Sequence, residues 1–140
     1  MLFRSPIVVM GMSRSQLVGL MTVAFDHMRL KHGINLVARR VGKSVAGEWG
    51  IGKLWGFLDQ RLRSDCVAIL GLSGRHDHWT LATAVTPRQV RLADSDGLHV
   101  LKRHLTTTRL RRGNTTRACI TADMVILVRR VVGGPTFRLW

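Results

Sequence analysis

With 140 residues, 46% of them hydrophobic, the chain can fill one packed core and is too apolar to be a disordered tail. No apolar run reaches the length of a bilayer span, and the short run after Pro6 is closed off by Arg14, which argues against an anchor or a signal peptide. Twenty-two Lys and Arg against eight Asp and Glu give a formal charge of +14, an excess that attracts polyanions, although an Arg, Ala, Gly and Val bias also follows from a GC-rich genome without any partner.

Residues 6–9 read as a short strand or a lead-in segment. Ser13-x-x-Gln16 has capping-box spacing and opens a helix. Leu17, Leu20, Met21, Ala24, Phe25 and Met28 follow the i, i+3, i+4, i+7 rule and define its apolar face, and Gly33 is placed to end it in a left-handed cap. Residues 34–41 read as a strand with Arg39 and Arg40 at its exposed end, followed by a glycine-punctuated loop over 42–50. A second helix is expected over Ile51–Leu62, with Ile51, Leu54, Trp55, Leu58 and Leu62 on one face.

After Leu62 the pattern changes to period two and short apolar runs. The continuous apolar run 66–72 predicts a central strand buried on both faces. A polar loop over 73–77 precedes two strands, His78–Val85 and 90–94, around the turn Thr86-Pro87-Arg88. Asp96-Gly97 marks another tight turn, 98–105 fits no single pattern, 106–116 reads as a basic loop or irregular hairpin, and 124–132 is a final strand. Helices first and strands afterwards predict an α+β fold. The helical half, about 1–63, is expected to pack against one face of an antiparallel sheet formed by about 64–140, all within one domain spanning 1–140.

The stretch that carries chemistry runs from Cys66 to Gly97. If the hairpin turn centres near Arg88, residues whose numbers sum to about 174 face each other, which sets His78 beside Asp96 and Thr80 beside Asp94 on one face. A carboxylate beside an imidazole fixes its tautomer and stabilises its cation, as a general acid or base needs. The spacing also fits a solvated pair at a strand end, and a one-residue slip would separate the two groups.

Cys66 and Cys119 lie far apart, belong to no C-x-x-C pair and read as core residues, which excludes a zinc knuckle or a thioredoxin motif. His76-Asp77-His78 has no third ligand nearby in sequence, so neither a metal nor a cofactor is expected. Lys102, Arg103, His104, Arg109, Arg111, Arg112 and Arg117 form the densest basic segment. It reads either as a solvated loop or as a phosphate-contacting surface for nucleic acid, unspecific because no aromatic is interleaved to stack on bases.

The order of a helical N-terminal half, a buried strand, His78-Trp79 opening the next strand and Asp94-Ser95 closing the one after resembles the papain-like cysteine peptidases of the bacteriocin-leader-processing, or double-glycine peptidase, group over roughly residues 13–132. The resemblance implies a papain-like fold and a peptide or protein partner in a cleft between the two halves. It also implies His78 as general base, Asp94 as its orienting partner and Trp79 packed under the sheet. The family's nucleophile is a cysteine at the start of the first long helix, where the helix N-terminus lowers its pKa. Here Gly11-Met12-Ser13-Arg14-Ser15 occupies that place and no cysteine precedes Cys66, whose apolar strand would raise its pKa. Three readings follow: the native start lies upstream and the cysteine with it, the domain is a pseudoenzyme that keeps the fold and binds peptide, or Ser13 or Ser15 substitutes, which needs stronger activation. The expected function is a cysteine-peptidase-like domain, inactive or truncated as it stands, in the cytoplasm. The alternative is a non-catalytic basic module binding nucleic acid or another polyanion.

Overall fold

The Ser13-x-x-Gln16 signal opens the first helix, α1 (Arg14–His32). The Gln16 amide donates to Ser13 Oγ at 3.2 Å and the Ser13 amide to Gln16 Oε1 at 2.9 Å, so two amides without a helical partner are satisfied reciprocally. Gly33 closes α1 in the left-handed region, φ 63°, with its amide donating to the Arg29 carbonyl. The computed structural model describes residues 12–41, 49–63, 65–109, 111–113 and 116–132; the expected segment 6–9 and most of the loop 42–50 lie outside them.

The second helix, α2 (Ile51–Leu62), has the bounds its periodicity predicts and buries Leu54, Trp55 and Leu58. The Trp55 indole donates to the Thr86 carbonyl at 2.9 Å, which ties α2 to a hairpin turn 31 residues away. Eight strands are described: β1 (Asn35–Arg40), β2 (Cys66–Gly74), β3 (His78–Val85), β4 (Gln89–Ala93), β5 (Val100–Lys102), β6 (Thr106–Thr107), β7 (Ala118–Cys119) and β8 (Val125–Val131). The main sheet runs β1-β8-β2-β3-β4-β5 with every neighbouring pair antiparallel. Short β7 continues the sheet beside the end of β2, and β6 lies parallel to β7. The class is α+β. Among the described residues no helix is long and apolar enough to cross a membrane.

The layering differs from the expectation of helices on one face. α1 buries Leu17, Met21 and Phe25 against Ala38, Ile126 and Val128, whereas α2 packs on Ala68, Leu70, Val90 and Leu92 on the opposite face. The reason is the strand chemistry. β2 is apolar on both sides, with Ala68 and Leu70 toward α2 and Val67 and Ile69 toward α1, so both faces need cover. Nor do 1–63 and 64–140 separate into halves, because β1 joins the sheet beside β8, the last strand in the chain. α1 rests on β1 and β8 with one row of side chains, which leaves Leu20, expected inside, 54% exposed. The ambiguous stretch 98–105 resolves into β5 and a 3₁₀ turn, Arg103–Leu105.

Candidate active site

The β3–β4 hairpin places the two residues that the chemistry singled out. Its turn is tighter than expected: Val85 pairs with Val90 and Ala84 with Arg91, number sums of 175. Continued unbroken, that register would put Asp94 on the face of Leu81, away from His78. A bulge between Ala82 and Ala84 takes up one residue, so Ala82 faces Leu92 and Leu81 faces Ala93, sums of 174. His78 and Asp94 thereby share a face. His78 Nε2 and Asp94 Oδ2 lie 2.8 Å apart.

The carboxylate is deeply set, with only 1% of the Asp94 side chain exposed against 24% for His78. The Asp96 amide donates to the other oxygen, Asp94 Oδ1, at 2.7 Å, a local turn that fixes the carboxylate plane. Burial alone would push the Asp94 pKa up. The Thr80 hydroxyl, the His78 ring, the Asp96 amide and charge on His78 together outweigh it and hold the carboxyl below its ordinary range. Thr80 Oγ1 is itself buried and completes no well-formed hydrogen bond among the described residues, and its effect on Asp94 is to favour the charged carboxylate. With Nε2 committed to Asp94, His78 Nδ1 is the ring nitrogen that remains for a group in front of it.

A cavity of about 340 Å³ is lined by Ser13, Gln16, Leu72, His78, Trp79 and Met124, among others, so the start of α1 and the His78 end of β3 border one opening. Two contacts hold the walls in register. The Trp79 indole donates to the Met12 carbonyl at 2.6 Å, tying the strand that carries His78 to the residue before the α1 cap. Gly71 lets that wall close up, since a Cβ there would lie 2.6 Å from Met124 Cε and 2.9 Å from the Trp79 ring. Ser13 faces this cavity but its hydroxyl is engaged as the helix cap. Ser15 is exposed and does not line it.

Neither cysteine is poised for attack. Cys66 begins β2 while His78 pairs with Leu72, six residues along the strand and roughly 20 Å away. Burial pushes both the Cys66 and Cys119 thiols up, and the opposing charges of Arg61 and Arg129 on Cys66 do not reverse this. His76 stands edge-on to His78 with ring centroids 6.0 Å apart. The metal-ligand grouping present among the described residues is His78, Asp94 and Asp96, whose ligand atoms lie within 4.8 Å of one another, and not His76-Asp77-His78. Within it, His78 Nε2 and Asp94 Oδ2 are already paired with each other.

Of the basic segment, Lys102, Arg103 and His104 line one cleft with Arg88, where Arg103 lies over the Trp55 ring at 5.9 Å and reaches the Pro87 carbonyl, while Arg109, Arg111 and Arg112 stand in solvent. Sequence reasoning missed Met12, Gly71 and Met124, whose signal is tertiary. Comparisons with protein-family models, with curated proteins and with solved structures find no match for this chain.

Proposed function

We propose that this chain is a papain-like, cysteine-peptidase-like domain that binds peptide in the cavity beside His78 and does not cleave it. The observation that supports this is the His78–Asp94 pair at 2.8 Å, carried at the strand end that borders the same cavity as the N-terminus of the first long helix. A histidine–carboxylate pair and a helix start at one end of a sheet are the parts that a thiol peptidase uses. What the helix start offers is Met12 and Ser13, and a serine engaged in capping keeps its proton. The nucleophile, base and orienter act as a unit, and losing the nucleophile removes about six orders of magnitude of rate in the subtilisin series.

The test is fluorescence anisotropy with a labelled peptide carrying a double glycine, run alongside cleavage assays on the same peptide and on casein. Saturable binding that changes little with salt, weakens in His78→Ala and is accompanied by no cleavage is the expected result. Cleavage that disappears in His78→Ala would overturn the inactive reading, and absence of binding would overturn the peptide.

A further inference from the structure

A second concave surface lies far from His78 in the sheet, at the end of α2. The pairings Val37↔Arg129 and Cys66↔Arg129 set these three residues in a row across β1, β8 and β2, and Arg39 stands opposite Leu127 in the next row. Directly paired residues point to one face, here the face that α2 covers, and α2 stops at Leu62 short of this corner. The sheet left bare becomes a cleft of about 780 Å³, floored by Val37, Cys66 and Leu127 and walled by Arg39, Arg40, Arg61 and Arg129.

No Asp or Glu lines it. The ion pairs among the described residues join Arg14 to Asp123, Arg29 to Asp26, Arg63 to Asp59 and His78 to Asp94, so none of the four cleft arginines has a carboxylate partner there. Arg61 rests on the Phe57 ring at 5.6 Å, which orients it without neutralising it. The fields of Arg61 and Arg129 reach the Cys66 thiol at the floor. Arg39, Arg61 and Arg129 bring uncompensated charge to this face, with Arg40 at its rim on the edge strand, and a compact, multiply charged anion relieves their mutual repulsion. Guanidinium forks match phosphate oxygens in pairs. Among the described residues no aromatic side chain lines the cleft, and Phe57 lies under Arg61, so the contacts fall on phosphate.

We propose that Arg39, Arg61 and Arg129, with Arg40 at the rim, form a binding site for a ligand bearing two or more phosphates. The site is independent of the peptidase reading, shares no residue with the His78 cavity, and differs from the Lys102–Arg117 surface that the sequence pattern favoured.

Titration calorimetry of the whole chain with inorganic tripolyphosphate, ATP and a short oligothymidylate tests it. Tripolyphosphate is expected to bind, and Arg39→Gln/Arg129→Gln to lose about tenfold in affinity per guanidinium, about a hundredfold together. Arg111→Gln/Arg112→Gln is expected to change little. The four side chains lie at the surface, and circular dichroism monitors the fold of each variant. Arg40→Gln/Arg61→Gln, drawn from different elements, repeats the test if the first pair perturbs it. ATP binding tighter than tripolyphosphate identifies a free nucleotide, and oligothymidylate that displaces tripolyphosphate and binds tighter identifies a nucleic-acid backbone. No binding of any of the three, or equal loss in the cleft and the 111/112 variants, overturns the site.

Discussion

Replacing Asp94 with alanine removes the acceptor at the centre of the candidate site, and its cost follows from the structure. Two charge-assisted hydrogen bonds disappear, at 2.8 Å with His78 and 2.7 Å from the Asp96 amide. Bonds to charged groups contribute about 1.5–3 kcal/mol each, but His78 is a quarter exposed and Asp96 is at the surface, so water recovers part; about 2–4 kcal/mol remains. For a chain of this size that lowers the melting temperature by about 6–20 °C. The pH dependence has a definite sign. The folded-state pKa of Asp94 lies below its unfolded value, so its contribution is complete above the ordinary carboxylate range and is lost as pH falls through the folded value. Thermal unfolding followed by circular dichroism at neutral pH and at stepwise lower pH should show wild type and Asp94→Ala converging in acid, with Asp94→Asn between them at neutral pH because it keeps an acceptor for the Asp96 amide. A difference that stays constant across the titration would refute the picture of a buried, ionised carboxylate.

Other expectations are as direct. In the native protein Cys66 and Cys119 should react with a thiol reagent far more slowly than in the unfolded chain, and His78→Ala should leave both rates unchanged; fast Cys66 labelling that depends on His78 would contradict its placement on β2. Gly71→Val should cost about 1–3 kcal/mol by overpacking Met124 and Trp79, and it should perturb Trp79 fluorescence; a neutral substitution would mean that this wall of the cavity yields freely.

The elements themselves were legible where the signal is local. The bounds of α2 followed from Leu54, Trp55 and Leu58, and those of α1 from a capping box and a glycine cap. The layering was misjudged although its cause was visible: an apolar run buried on both faces requires cover on both, and only two helices were on offer. The meeting of His78 and Asp94 was reached through two departures that offset each other. The turn is shorter than Thr86-Pro87-Arg88 suggested, and the bulge near Thr83 restores the parity that this would have broken. No residue pattern around Ala82 and Ala84 announces such a bulge. The arginine cleft was not legible either. Its arginines come from β1, α2 and β8, far apart in the chain, and meet only once β1 pairs with β8 and α2 packs on the sheet.

The central claim is that His78 and the start of α1 form a thiol-peptidase site without its thiol. Placing a cysteine there, as Met12→Cys and separately Ser13→Cys in the Cys66→Ser/Cys119→Ser background, measures it most directly. The rate of iodoacetamide alkylation is followed against pH with and without His78→Ala. The account predicts that at one of the two positions the thiol ionises well below the ordinary cysteine pKa, through the helix N-terminus and the imidazole, and that His78→Ala returns it toward the ordinary value. Thiols at both positions that titrate like free cysteine, indifferent to His78, would contradict it.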